Sequence, residues 1–403
     1  MKTAIVGGGA AGFFLAINLK ELCPQMQVSI FERSQRLLQK VKVSGGGRCN
    51  CTNTFEDVCD LSAVYPRGHR LMKRLMKGFS QRDAFAWFER HSVRLTVQDD
   101  HCVFPASQDS QTIIDCFLSV ARHLGIVVHT SQRIDDLAAL AAYDFTVITT
   151  GGLRADSPLA TSLVAAGHEL EAPVPSLFTF SIADPALHEL MGTVVPDATA
   201  LLPGTKFRAS GPLLITHWGM SGPAILKLSS YAARHLAECG YRAPLAINWV
   251  SENEETVRRQ LCELIDRHPQ RLATSLRPFD LPARLWNFIA ARTEVEGKRL
   301  AELSKHDLNR LITNLTADTY TIASRAPFKD EFVTCGGIAL SSVNPSTLES
   351  RHRPHLYFAG EVLDIDGITG GFNFQAAWTT AHTVAHAICN KAHVLDCTTD
   401  FSD

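Results

Sequence analysis

From Thr3 to Leu19 the chain carries no charged residue. Thr3-Ala4-Ile5-Val6 is a short apolar run of the kind that forms a strand covered on both faces. Gly7-Gly8-Gly9-Ala10-Ala11-Gly12 then breaks the run, and Phe13 to Leu22 resumes it over a helical length. Gln27-Val28-Ser29-Ile30-Phe31 reads as a second buried strand and ends in Glu32-Arg33. The same figure, an apolar strand closing on small residues, returns at Val147–Gly152 and at Leu356–Gly360. Beyond the last of these, Gly370 opens a helix predicted to run to about Cys389. Strands near residues 4, 148 and 357 belong in one sheet, so the chain between the last two is an insertion. The fold class is α/β, with a Rossmann-like parallel sheet.

The rest of the pattern is weaker. Residues 65–91 are expected to form a helix, with Arg70, Lys73, Arg74 and Lys77 on one face and Leu71, Leu75, Met76 and Phe79 supplying apolar positions. Pro173-Val174-Pro175 is a stiff linker. After it Phe178–Ile182, Gly204–Ala209, Leu213–Thr216 and Ala246–Val250 read as short strands suited to a small barrel. Ser221-Gly222-Pro223 starts a helix expected over Ala224–Glu238. Residues 253–317 are charge-rich and helix-periodic. Ala326 to Ala339 leads back through Phe332-Val333-Thr334.

Composition narrows the classes. With 403 residues, two or three domains are expected. The 39 basic against 41 acidic side chains give a formal charge of −2, which excludes a globally basic nucleic-acid binder but not a local basic patch. Eleven cysteines without framework spacing point to reduced thiols in a cytoplasmic protein. The uncharged N-terminus is not read as a signal peptide, because its glycines would weaken the continuous apolar helix such a segment needs.

Candidate chemistry begins at Gly7-x-Gly9-x-x-Gly12. Strand, glycine loop, helix, strand and acid follow in the order of a dinucleotide fingerprint. Gly7 permits the turn, Gly9 lets backbone approach a pyrophosphate, and Gly12 lets helix and strand pack closely. Ala10 and Ala11 open the helix whose N–H groups would meet the phosphates. Glu32 stands 20 residues past Gly12, where it suits ribose hydroxyls and disfavours a 2′-phosphate. Only one such fingerprint is present, so any nicotinamide donor must bind transiently.

Five further segments carry a resemblance. Lys40-x-x-x-Ser44-Gly45-Gly46-Gly47-Arg48-Cys49-Asn50-x-Thr52-Asn53 is similar to the hallmark of the BaiN/RdsA-like FAD-dependent flavoproteins (YhiN-like, in the two-dinucleotide-binding-domain superfamily). So are Thr216-His217-x-Gly219-x-Ser221-Gly222-Pro223, Gly336-Gly337-Ile338, and Gly360-Glu361-x-x-Asp364 through Gly370-Gly371-Phe372-Asn373-Phe374. Thr150-Gly151-Gly152 resembles the turn that closes FAD-binding domains. The resemblance implies a discontinuous FAD-binding domain over 1–172 and 331–403. It implies an inserted β-barrel-like subdomain over 173–252 and 318–330, and a helical one over 253–317. It extends the cofactor-contacting set to Arg33, Lys40, Ser44, Gly45, Gly46, Gly47, Arg48, Cys49, Asn50, Thr150, Gly151, Gly152, Gly360, Glu361, Asp364, Gly370, Gly371, Phe372, Asn373 and Phe374. Two departures stand out: 131–144 is short, and 153–158 replaces a longer glycine-rich loop.

The resemblance implies an FAD-dependent, NAD(P)H-linked oxidoreductase in which flavin N5 carries hydride to an electron-poor C=C bond. A ribosomal RNA dihydrouridine synthase-type flavoprotein, contacting RNA through Arg70, Lys73, Arg74 and Lys77, is the alternative. A non-enzymatic flavin-binding redox sensor is a second alternative. His217 is a candidate proton donor or a turn stabiliser. His382-x-x-x-His386 has zinc spacing without a third ligand and is read as structural, and no metal is expected. Cys49-x-Cys51 is read as flavin-facing backbone without disulfide chemistry.

Overall fold

The structure, a computed structural model, describes residues 1–326 and 333–399, with side chains as far as Leu395. The chain divides into two compact units, Met1–Val174 with Phe332–Asp403, and Pro175–Glu331. The expected return through Phe332 and the 330/331 boundary lie outside the described residues.

The first unit is built on five parallel strands in the order Leu356–Phe358, Phe145–Ile148, Lys2–Val6, Gln27–Phe31 and Val127–His129. Thr3 sits opposite Phe145 on one side and Val28 on the other, and Tyr357 sits opposite Val147. The strands near residues 4, 148 and 357 therefore lie side by side despite the chain between them. Thr3 to Val6 are all buried, as a strand covered on both faces requires. From Lys2–Val6 the chain first goes to Gln27–Phe31 on one side and later to Phe145–Ile148 on the other. That reversal puts the topological switch, where open α/β sheets bind ligands, at the carboxyl end of Lys2–Val6.

Helix Ala10–Leu22 is buried from Ala11 to Leu19 and packs on the C-terminal helix Phe372–Thr399. Phe14 contacts the rings of Trp87 at 4.6 Å, Trp378 at 5.1 Å and Phe79 at 5.5 Å. The C-terminal helix passes its expected end because no glycine or proline follows Cys389. Where the two helices meet, Cys23 and Cys389 form a disulfide across 366 positions, with Cα atoms 6.2 Å apart. This corrects the all-thiol expectation for that pair. The cause is tertiary, since Cys23 caps the C-terminus of one helix exactly beside the other. Cys49, Cys51, Cys59, Cys102, Cys116, Cys239, Cys262 and Cys335 are in no disulfide.

Instead of one helix over 65–91 there are two, His69–Leu75 and Gln81–Arg90. Gly78 and Phe79 separate them, and Asp83 accepts from both the amide and the hydroxyl of Ser80 at 2.7 Å, starting the second helix. The unit also holds a small antiparallel sheet of Thr52–Asn53, Cys102–Pro105 and Leu95–Val97.

The second unit contains a closed barrel in the order Val194–Leu201, Arg208–Thr216, Gly219–Ser221, Phe180–Ile182, Asp318–Arg325 and Ala243–Asn248. The two strands expected over 204–216 are one, Arg208–Thr216, with Gly204 in the turn before it at φ +77°. Val194–Leu201 is a strand not among those expected, and a register irregularity between Val195 and Ala198 accommodates its Pro196 and Asp197. The helix expected to Glu238 breaks at Ala232 into Pro223–Tyr231 and Ala233–Glu238. Helices Glu254–Arg267, Ala283–Arg292 and Lys305–Thr316 share the barrel's apolar core, which includes Leu213, Ile215, Met220, Trp286 and Leu311. No helix among the described residues is long and apolar enough to cross a membrane.

Candidate flavin site

The turn after Lys2–Val6 is fixed by two glycines without room for a side chain. Gly7, at φ +121°, lies against the Thr149 carbonyl, and a Cβ on Gly12 would strike the Gly7 carbonyl oxygen. The Thr149 hydroxyl donates to that oxygen at 3.0 Å and to the Val6 carbonyl at 3.2 Å. Gly9 is the opposite case: nothing lies within 4 Å of the position its Cβ would take. It precedes helix Ala10–Leu22, which has no side-chain cap and no acid in its first turn. The first N–H groups of that helix lack intrahelical acceptors and sit at the positive end of its dipole. Free amides, open space and a tightly fixed backbone together fit a dinucleotide pyrophosphate.

Glu32 is held beside this loop by two backbone amides, Gly8 N–H on Oε2 and Ser34 N–H on Oε1, both at 2.9 Å. Each oxygen keeps lone-pair capacity for a ribose hydroxyl. Arg33, next to it, is exposed.

Lys40 lies in the helical segment Gln39–Gly47, which kinks at Ser44 before Gly45, Gly46 and Gly47 at φ +56°, +70° and +86°. Gly45 is hemmed in by Phe104 and the Asn50 amide, whereas Gly46 and Gly47 face open space. The Arg48 guanidinium stacks 4.1 Å over Phe104 and donates to the Gly45 carbonyl at 3.1 Å. Its charge thus lies along the glycine backbone. Asn50 Oδ1 accepts from Val103 N–H at 3.3 Å. Cys49 and Cys51 are buried with sulfurs 3.9 Å apart, and burial raises the Cys51 thiol well above its ordinary pKa.

This loop is hydrogen-bonded onto the start of the C-terminal helix. The Thr52 hydroxyl donates to Gln375 at 2.7 Å, Asn53 Nδ2 to the Gly370 carbonyl at 3.1 Å, and Trp378 Nε1 to the Cys51 carbonyl at 2.8 Å. Gly371, at φ +89°, is pressed against the Thr52 carbonyl. Asn373 bonds both backbone groups of Gly367 at 2.8 Å. Phe372 meets the rings of Phe55 and Tyr65 edge-on, and Phe374 stacks on Trp378. Arg67 forms a two-pronged ion pair with the fully buried Asp366 just ahead of this turn.

Glu361 joins the two halves. Its carboxylate accepts from Lys40 at 2.7 and 2.8 Å and from Thr334 N–H at 2.8 Å. It lies 3.6 Å from where a Cβ on Gly151 would sit, and Gly152 abuts Thr334. Gly360 N–H donates to Thr380 at 2.9 Å, and Asp364 N–H to the Ile338 carbonyl at 3.0 Å.

The structure therefore gathers Gly7, Gly9, Ala10, Ala11, Gly12, Glu32, Lys40, Thr150, Gly151, Gly152, Gly360 and Glu361 around the switch point. It ties the 44–53 loop to residues 370–375. Lys40 and Glu361 engage each other. Thr149, Thr334, Gln375, Trp378 and the Arg67–Asp366 pair support the site without a local sequence signal, because each acts through a partner far along the chain. His217 belongs to the other unit, exposed in the Thr216–Gly219 turn with its ring edge-on to Trp218 at 4.3 Å. His382 packs on Phe79 at 4.5 Å and on His386 at 4.3 Å, and burial pulls its pKa down to about 4. Arg70, Lys73, Arg74 and Lys77 are exposed, with Leu71, Met72 and Leu75 turned inward.

A switch-point glycine loop, an acid on the second strand and a second helix start tied to a glycine-rich loop define a Rossmann-type flavoprotein oxidoreductase. A family model, HI0933-like protein Rossmann domain, matches residues 1–387, and the chain belongs to that family of FAD-dependent oxidoreductases. It is similar to the 3-dehydro-bile acid delta(4,6)-reductase of Clostridium scindens, 26% identical over 97% of this chain and 99% of the relative. It is also similar to the ribosomal RNA dihydrouridine synthase of Escherichia coli, 28% identical over 94% of this chain and 96% of the relative. Among solved structures, 3-ketosteroid delta1-dehydrogenase from Sterolibacterium denitrificans shares the fold at a TM-score of 0.50 and 10% identity, over 96% of this chain and 99% of that one.

Proposed function

We propose that this protein is a cytoplasmic reductase that uses FAD and NAD(P)H to saturate a C=C bond conjugated to a carbonyl. The observation that carries this reading is the intact 44–53 loop locked onto the start of the C-terminal helix, beside an uncapped helix Ala10–Leu22. The amides of Ala10, Ala11 and Gly12 would hold the pyrophosphate, Glu32 would accept from the adenosine ribose hydroxyls, and the Gly45–Gly47 backbone and Gly370–Phe374 would meet the ring. When bound, FAD supplies the hydride carrier, flavin N5. The helix start at Phe372 contributes a positive dipole end where negative charge collects. His217 is proposed to protonate the substrate carbon. In His217→Ala the turnover is expected to fall about 100-fold with FAD content unchanged.

The two curated relatives named above act, by their names, on a bile acid and on ribosomal RNA. A steroid dienone and the uracil ring both present a C=C bond conjugated to a carbonyl, so one chemistry covers both. The experiment is anaerobic reduction of the FAD-loaded protein by NADH or NADPH, followed by addition of steroid enones or ribosomal RNA. Reoxidation coupled to a saturated product supports the reading. Reduction without reoxidation by either class would move it to a redox sensor.

The RNA reading gains from one observation, the exposed basic strip on His69–Leu75 and just beyond it. Arg74 is already engaged by Ser346 at 2.6 Å, which leaves Arg70, Lys73 and Lys77 for phosphates. Charge reversal of those three should abolish RNA binding and leave small enones as good acceptors. Unchanged RNA binding would remove this reading.

A further inference from the structure

We propose that the barrel unit carries a phosphate-binding site, separate from the cofactor residues, in a cavity between its first two long strands and a helix. The cavity has a volume of about 360 Å³ and is lined by Thr199, Arg208, Ala209, Ser210, Lys227 and Tyr231. Three elements converge there. Thr199 comes from Val194–Leu201, and Arg208 and Ser210 from Arg208–Thr216. Lys227 and Tyr231 stand four residues apart on helix Pro223–Tyr231, so they share one face. Arg208 and Ser210 stand two apart on a strand and likewise share a face. Ser210 is opposite Thr199 in the ladder, and their hydroxyls are 2.7 Å apart.

The electrostatics are one-sided. Arg208 and Lys227 line the same cavity, and among the described residues neither side chain has an ion pair or hydrogen bond. Elsewhere in this unit Arg292 is paired with Asp318, Lys298 with Asp307, and Arg310 with Glu294 and Asp307. Lys227 is partly exposed. Its ammonium lies over the backbone, 3.9 Å from where a Cβ on Gly211 would stand. The only acid in the hydroxyl chain enters at second hand: Asp197 accepts from Ser251 at 3.2 Å, and Ser251 bonds Thr199 at 3.1 Å. That leaves the cavity with two cations and hydroxyl donors and no carboxylate in its lining.

Those groups match a tetrahedral oxyanion. A guanidinium donates to two oxygens of one phosphate, an ammonium takes a third as a point charge, and the Ser210 hydroxyl can turn from Thr199 to donate to the fourth. Glycine at position 211 keeps the backbone beneath Lys227 free of a side chain. The volume exceeds a bare phosphate and falls in the small-ligand range, so the phosphate is expected to be part of a larger molecule. Two sources share that chemistry, a terminal phosphate of a nucleotide and a backbone phosphodiester of RNA. This inference does not depend on which substrate is reduced.

The test uses the FAD-loaded protein, whose own pyrophosphate site is filled, in calorimetric titrations with inorganic phosphate, adenosine 2′,5′-bisphosphate and a uridine-containing oligoribonucleotide. The variant is Arg208→Ala with Lys227→Ala, both partly or fully exposed positions outside the flavin unit. Its flavin absorbance and thermal unfolding should match the parent. Saturable phosphate binding weakened at least about tenfold in the variant is the expected result. Tighter bisphosphate binding that the variant also loses assigns a terminal phosphate. Tighter oligoribonucleotide binding that weakens with salt assigns an RNA backbone. No saturable binding of any probe, or equal binding by parent and variant, would overturn the site.

Discussion

At the flavin site of the parallel-sheet unit the backbone is held by positions that admit only glycine, whereas the barrel unit, glycine-only turns at Gly219 and Gly222 aside, is held by an apolar core. A Cβ on Gly7, Gly12 or Gly371 would meet a carbonyl oxygen directly. The barrel depends instead on side chains such as Leu213, Ile215, Met220 and Trp249, all fully buried. The glycine-built region exposes amides for a ligand. The side-chain-built region closes its apolar core, and the basic cavity lies outside that core. Damage to the glycine positions of the first should be all-or-none for the cofactor, and damage to the apolar core of the second graded and confined to stability.

Gly12→Val gives the largest expected effect. Its branched side chain would collide with the Gly7 carbonyl, so the purified protein should lose FAD and the sheet unit should be destabilised by at least about 3 kcal/mol. Visible absorbance and thermal unfolding measure both. A yellow G12V protein would break the contrast. Leu213→Ala should cost the barrel about 3 kcal/mol through the cavity it leaves, with flavin per folded chain unchanged. Loss of flavin in L213A would show that the units are not independent in this respect.

The disulfide sharpens the same comparison. Cys23→Ser, or reduction by a dithiol, should lower the stability of the sheet unit by about 2–4 kcal/mol and leave the barrel's transition in place. Calorimetry with two resolved transitions reads this directly. A shift confined to the barrel transition would contradict it.

The smallest effect is in pH. Burial lowers His382 from 6.5 to about 4, so below pH 6.5 the unfolded chain takes up a proton that the folded one refuses. Sheet-unit stability should therefore decline as pH falls from 6.5 toward 4, and less steeply in His382→Gln. Asp307 in the barrel unit is held below its ordinary pKa of 3.8 by Lys298, Ser304 and Arg310. Its contribution is complete above 3.8 and is lost only as pH falls further, through the lower folded value. Acid should weaken the sheet unit first, and a melting series across pH 7 to 3 follows both.

What could be read from sequence follows the same division. Gly7, Gly9, Gly12 and Glu32 are legible because turn, helix start and acid lie within one short stretch. Their placement at the sheet's switch point follows from the three apolar strands. The Lys40–Glu361 pair spans 321 positions and Thr52–Gln375 spans 323, so no local pattern announces either. Cys23–Cys389 is hidden for the same reason. In the barrel, Val194–Leu201 carries Pro196-Asp197, a turn signal that tertiary pairing overrides. The break at Gly78-Phe79 in the expected 65–91 helix is clear only once the Ser80–Asp83 cap is seen.

The most direct measurement is the visible spectrum of the purified protein before and after anaerobic addition of NAD(P)H and a conjugated enone. One tightly held FAD per chain, bleached by the nicotinamide and restored by the enone with formation of the saturated product, is the expected result. A colourless protein that cannot be reconstituted with FAD would contradict the reading of the glycine loop, the 44–53 segment and the start of the C-terminal helix as a flavin site.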